Sequence, residues 1–136
     1  RKIVKDDISE IKNTSKVWIQ NPEVEIIIST GGTGLTGRDV SPEAFRQIFD
    51  KEIEGFGELF RYLSFKKIGT STIQSRAIAG VSNGTYIFVL PGSPSACNDA
   101  WEDILLHQLD YTHKPCNFVE IMPRLLENSK GRSGKK

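Results

Sequence analysis

The run Ser29-Thr-Gly-Gly-Thr-Gly-Leu-Thr-Gly-Arg-Asp-Val-Ser-Pro-Glu43 gathers more potential chemistry than any other stretch of this chain. Gly31, Gly32 and Gly34 lack a Cβ, so their backbone N–H groups can approach an anion closely. Thr33 and Thr36 add hydroxyl donors, and Arg38 adds a guanidinium fork suited to phosphate oxygens. A helix start follows at Ser41-Pro42-Glu43, and a helix N-terminus favours negative charge. Asp39 does not fit an anion site by itself. Beside a phosphate it makes sense if a hard cation such as Mg²⁺ bridges the two, because magnesium takes oxygen ligands and shares phosphate oxygens. The same spacing equally suits a tight strand-to-helix turn in which Asp39 only caps backbone, and both readings stay open. The turn is not a Walker A loop, since the Gly-Lys-Ser/Thr ending is absent.

Other groupings are weaker. Asp6-Asp7 could supply a second carboxylate to the same rim, although paired acids at this point also cap a helix. Asp7 fits the cap better, which leaves Asp6 freer for a site. Pro91-Gly92-Ser93-Pro94-Ser95 offers two serines at a helix start, either as an anion site or as simple capping by Ser93. Ser75-Arg76 could bring a hydroxyl and a charge to that rim, though a plain surface role is the stronger reading. His107 and His113 have no metal-type partners. Cys97 and Cys116 show no CxxC or zinc spacing and read as reduced thiols. No nucleophile elbow or Ser–His–Asp order is present.

The elements that must position these residues follow from periodicity. Arg1–Lys5 reads as the tail of a strand. Asp7 and Glu10 form a capping-box pattern ahead of a helix whose apolar face is Ile8, Ile11, Ser15, Trp18 and Ile19, ended by Asn21-Pro22. Val24–Ser29 is a β-branched apolar run suited to a central parallel strand covered on both faces. Ser41, as N-cap, and Pro42 open a second helix with Ala44, Phe45, Ile48, Phe49 and Ile53 inward. Gly55-Phe56-Gly57 interrupts, and a helical pattern resumes over Glu58–Phe65. Gly69–Ser75 is loop-like. Residues 77–81 and 85–90 flank Ser82-Asn83-Gly84 as a hairpin. Ser93-Pro94 then starts a helix carrying Ala100, Trp101, Ile104, Leu105 and Leu109, with Trp18 and Trp101 expected in the core.

Strands alternating with helices, with glycine turns after strands, indicate an α/β layered sheet whose ligands bind beyond the carboxyl ends of the strands. A 38% hydrophobic and 26% charged composition suits one globular domain. A formal net charge of +1 gives no global drive toward nucleic acid or a membrane surface. No apolar run approaches a bilayer-spanning length, and a cytoplasmic location is expected. The domain is expected over residues 1–121, with 122–136 as a C-terminal tail, disordered at its end.

From Thr30 to Ala44 the sequence resembles the MoaB/Mog family of molybdenum cofactor biosynthesis proteins, which includes the G domain of gephyrin. The likeness continues through residues 54–65, 68–77 and 90–93, and with Lys114–Phe118 is most similar to the MoaB branch. It covers about residues 1–120. The resemblance implies a three-layer α/β/α sandwich with a mostly parallel sheet and assembly as a homotrimer or homohexamer. It also implies binding of molybdopterin and, in active relatives, transfer of AMP from Mg-ATP to its terminal phosphate. Asp39 would be the essential acid and metal ligand, with Asp6 a second acid. Gly31, Gly32, Thr33 and Gly34 would form the ligand-binding turn with Arg38. Ser75, Pro91, Gly92 and Ser93 would line other parts of the rim.

Members of that family begin with a further strand, turn and helix. Since the chain opens on Arg1 and its only methionine is Met122, an N-terminal βα unit is expected upstream. Retention of Arg38-Asp39 favours an adenylyltransferase. A non-catalytic molybdopterin carrier or assembly protein is the alternative, and a scaffold fragment without an intact site is the blandest reading. Other proteins of the cofactor pathway are possible partners.

Overall fold

The computed structural model describes residues 1–129, and the expectation for 130–136 lies outside them. A four-stranded mixed sheet in the order β1-β4-β3-β2 forms the middle layer. Its strands are β1 (Ile26–Thr30), β2 (Lys51–Glu52), β3 (Ile78–Ser82) and β4 (Thr85–Leu90). β4 runs parallel to β1 and antiparallel to β3, and β2 pairs antiparallel with β3 at the far edge.

The alternation of side chains along β4 sorts the core into two layers. Tyr86, Phe88 and Leu90 pack with Phe56, Phe60, Ala100, Ile104 and Leu105 on one face. Ile87 and Val89 pack with Ile11, Ile19, Ile27, Ala44 and Phe45 on the other. A strand buried on both faces must be apolar throughout, which is why residues 85–90 carry almost no polar side chain. The covering helices are α1 (Ile8–Gln20) and α2 (Ser41–Arg46) on the second face, and α3 (Glu54–Ile68) and α4 (Pro94–Ala100) on the first. This is the three-layer α/β sandwich.

Several local expectations hold for their stated reasons. Asp7 accepts the Glu10 amide at 2.9 Å as the N-cap of α1. Asn83 and Gly84 take positive φ values of 46° and 81°, the turn that matches the twist of the β3–β4 hairpin. Both cysteines are free.

Others do not hold. Residues 1–7 join no strand, and Ile3 is exposed. β1 is an edge strand in the described sheet, not a central one, and Ile28 is partly exposed there. The Gly55-Phe56-Gly57 interruption lies inside α3. Gly57 is there because a Cβ would stand 2.6 Å from the Ala77 carbonyl, so the glycine lets the helix close on the sheet. Residues Gly69–Gln74 form a 3₁₀ helix, where polar composition suggested a loop. Trp101 is 45% exposed, because the helix widens into a π turn over Trp101–Leu105 and shifts the inward face to Ile104 and Leu105.

After α5 (Leu106–Gln108), α6 (Phe118–Ile121) returns the chain to the sheet. The Tyr86 hydroxyl donates to the Phe118 carbonyl at 2.7 Å, and burial pushes its pKa up to about 12. Met122 and Leu125 pack against the same core, so the folded body continues past Ile121.

Candidate functional site: two turns at one edge of the sheet

The register of the parallel pair decides where the site can be. Thr30 lies opposite Leu90, so the turns that follow β1 and β4 leave the sheet side by side at its carboxyl edge. They are also tied together. The Gly31 amide donates to the Leu90 carbonyl at 2.9 Å, and the Thr30 hydroxyl donates to the Pro91 carbonyl at 2.9 Å. A Cβ on Gly92 would meet the Gly31 Cα at 3.3 Å, so the glycine permits this closeness. Cys97 completes the seam, with its sulfur 3.3 Å from both the Thr30 hydroxyl and the Pro91 carbonyl oxygen. Nothing in the spacing of Cys97 marked it for this place.

The first turn is built around its glycines. Gly32 holds φ +68°, and a Cβ there would run into the Ser41 hydroxyl. Gly34 leaves room for the Asp39 carboxylate, which a Cβ would meet at 2.7 Å. Asp39 Oδ2 accepts the Thr36 amide at 3.0 Å and the Thr36 hydroxyl at 2.7 Å. Its pKa is lowered, chiefly by the Thr36 hydroxyl, with help from the Thr36 and Gly34 amides and the charge of Arg76. The carboxylate therefore braces the turn as an ionised acceptor. Among the described residues, the amides of Gly32 and Thr33 donate to no protein acceptor. The Leu35, Gly37 and Arg38 amides further along the loop are likewise without a protein acceptor, so Gly32 and Thr33 begin a longer run of open donors.

Asp6 arrives from the opposite wall. Its Oδ1 would lie 3.5 Å from a Cβ on Gly32, and its other oxygen is 3.7 Å from Arg38. Arg38 is 88% exposed at its side chain, so this ion pair contributes little to stability and leaves the guanidinium free to move. Ser41 is the first residue of α2 and not its cap, since Val40 holds that position without a side-chain bond. The Ser41 hydroxyl, although the residue is buried, takes no hydrogen-bond partner among the described residues. Beside these groups runs a cleft of about 490 Å³ between residues 1–6 and β1, with Thr30, Gly31, Ser41 and Asp6 at one end and Trp18, Ile27 and Phe45 as apolar wall. Asp39 is not in its lining.

The second turn is held by local bonds. Ser93 caps α4 by accepting the Ala96 amide at 3.2 Å. Ser75 turns inward, where its hydroxyl accepts the Ala77 amide at 3.5 Å and its carbonyl faces Arg61. The structure thus brings Asp6, Arg38, the 31–34 turn and Pro91-Gly92 into one neighbourhood, and assigns Ser75 and Ser93 local backbone duties. Arg76, next to Ser75, proves far more engaged than a surface side chain. It contacts Gly34, Asp39 and Glu43.

An α/β sandwich with a glycine turn beyond a parallel strand pair belongs to the class of layered sheets whose ligand sites lie beyond the carboxyl ends of the strands. A family model described as "Probable molybdopterin binding domain" matches residues 1–111, and the chain belongs to that family. It is similar to molybdenum cofactor biosynthesis protein B of Escherichia coli K12, with 54% identity over 116 residues, 85% of this chain and 68% of the relative. A crystal structure of a molybdenum cofactor biosynthesis protein B superposes with a TM-score of 0.77 at 41% identity, covering 79% of this chain and 68% of that one. The tungsten cofactor synthesizing protein MoaB of Pyrococcus furiosus gives 0.71 at 37% identity, covering 78% and 68%. The chain therefore spans about two thirds of the length of these relatives. No helix among the described residues is long and apolar enough to cross a membrane.

Proposed function

We propose that this chain acts in molybdenum cofactor biosynthesis by binding molybdopterin at the Gly31–Gly34 turn and joining AMP from Mg-ATP to its terminal phosphate. The observation that carries the reading is the pair of open amides at Gly32 and Thr33, set beside the Pro91-Gly92 turn in a chain of the molybdopterin-binding family. Backbone donors fixed in advance stabilise phosphate charge without reorganising during reaction. In the step itself, an oxygen of the molybdopterin phosphate bonds to the α-phosphorus of ATP as the bond to the pyrophosphate leaving group breaks. Such chemistry asks mainly for positioning and charge neutralisation.

Asp6, beside Gly32, and Asp39, beside Gly34, carry the hard carboxylate oxygens that Mg²⁺ takes. Bound with the nucleotide, the ion supplies neutralisation of phosphate charge. Asp39 and Asp6 would hold it, while Arg38 would follow the phosphates from solvent. Assembly as a homotrimer or homohexamer, and contact with other proteins of the cofactor pathway, belong to the same proposal.

The involvement of Asp39 with Thr36 favours a second reading, a non-catalytic carrier in which this carboxylate only shapes the turn. Pyrophosphate release from Mg-ATP in the presence of molybdopterin separates the two. In the adenylyltransferase, Asp39→Asn keeps an acceptor for Thr36 and lowers turnover by about a hundredfold or more while molybdopterin binding stays near wild type. Binding without any pyrophosphate release by the unaltered chain selects the carrier. Equal losses of binding and rate in Asp39→Asn remove the assigned role.

A further inference from the structure

Arg76 stands at the start of β3, outside the turn, yet four of its contacts end on the turn or the helix behind it. Its Nε and Nη2 donate to the Gly34 carbonyl at 2.9 and 2.6 Å, and Nη2 also donates to the Asp39 carbonyl at 3.0 Å. Its Nη1 pairs with the Glu43 carboxylate on α2. The Glu43 pKa is lowered chiefly by this bond. A planar fork with fixed donors can hold two carbonyls and a carboxylate at once, which an ammonium cannot reproduce with the same geometry.

The chemistry of the turn gives this clamp a purpose. A peptide loop presents carbonyl oxygens as readily as amides, and a carbonyl facing a phosphate repels it. Gly34 and Asp39 bracket the loop that carries Thr36 and Arg38, and both of their carbonyls are drawn toward the guanidinium. With these two acceptors engaged by the guanidinium, neither is free to turn toward a phosphate that meets the open Gly32 and Thr33 amides. We infer that Arg76 is a positioning residue for phosphate recognition: it holds the glycine turn in the conformation that offers donors and withholds acceptors. The inference rests on the phosphate-binding reading of this turn, and adds that selectivity for the phosphorylated ligand is set from β3.

The test compares binding of molybdopterin with binding of the same compound after phosphatase treatment. The wild-type chain should prefer the phosphorylated form. Arg76→Lys should weaken the phosphorylated form by about tenfold and leave the dephosphorylated form within about twofold, since bonds to charged groups are the ones lost. Glu43→Gln keeps the carbonyl contacts of Arg76 and should cost the phosphorylated form only a few-fold. Amide hydrogen exchange should rise across residues 32–38 in Arg76→Lys while β3 and β4 keep their protection, a readout that also serves if binding is weak. If wild type binds but does not distinguish the two forms, the phosphate reading of the turn fails and the inference with it. If wild type distinguishes them and Arg76→Lys does so equally well, or loses both forms equally, the phosphate reading survives and the role of Arg76 falls.

Discussion

The turns after β1 and β4 leave neighbouring strands at the same level, and they are built on opposite plans. In the turn after β1, backbone amides at Gly32 and Thr33 stay open while side chains from elsewhere brace it, Arg76 from β3 and Asp39 from its own far end. In the turn after β4 the Ser93 side chain and the Pro91 carbonyl are engaged, while among the described residues the Gly92 and Ser93 amides find no acceptor either. Ser93 caps α4, and the Pro91 carbonyl accepts the Thr30 hydroxyl. The first turn is braced from a distance, and the second is tied to it through the Leu90 and Pro91 carbonyls. Adjacent glycine turns on one sheet edge therefore need not share a task. What separates them is the bracing: side chains distant in sequence hold the first, and a local helix cap holds the second.

The largest effect expected from breaking this comparison comes at Gly32. Gly32→Ala places a Cβ against the Ser41 hydroxyl and forces an L residue to hold φ +68°. The left-handed conformation alone costs about 1–2 kcal/mol. The turn relieves it by moving, so affinity for molybdopterin should fall by about tenfold or more, with calorimetry or fluorescence titration as the check. A smaller effect of a different kind belongs to the second turn. Ser93→Ala removes the cap of α4 and should lower folding stability by about 1 kcal/mol in a denaturant titration. Ligand affinity should be unchanged within about twofold. A large affinity loss in Ser93→Ala, matching that in Gly32→Ala, would show that the two turns are one binding surface.

How much of this was legible beforehand differs between fold and site. Periodicity and turn residues placed α1, the hairpin and the start of α4, because those rest on local interactions such as the Asp7 cap and the Asn83-Gly84 turn. The resemblance from Thr30 to Ala44 identified the family. What stayed hidden depends on contacts far apart in sequence. Gly57 looked like a helix breaker because its reason, the Ala77 carbonyl, lies twenty residues on. Arg76 looked like a surface charge because its partners are 33 to 42 residues away. The two-residue β2 carries too little pattern to be seen, and is set by its pairing with Val81 and Gly80. The carboxylate of Asp39, weighed between metal ligand and backbone brace, makes the bracing contacts in full.

Acid provides the gentlest way to separate the turns, because only the first relies on carboxylates. The Asp39 pKa lies below its ordinary 3.8, and the Glu43 pKa below its ordinary 4.5. A group whose pKa is depressed on folding contributes stability above its unfolded value and loses it as pH falls through the folded value. Bracing of the first turn should thus be complete above 4.5 and fade as pH falls through the depressed values of Glu43 and Asp39. Charges facing Asp39 and Glu43 come from Arg76 and, for Glu43, Arg46 as well, and neither arginine titrates in this range. The nearby Asp6–Arg38 pair is exposed and holds no part of the turn's backbone. The second turn has no carboxylate of its own: the Ala96 amide donates to a serine hydroxyl, which acid leaves intact. Followed by NMR, the Thr36 amide should shift as pH drops below 3.8 while the Ala96 amide stays still until the domain unfolds. Movement of both amides together would mean that acid loosens the whole sheet edge, and that the Asp39 brace is not a separate device of the first turn.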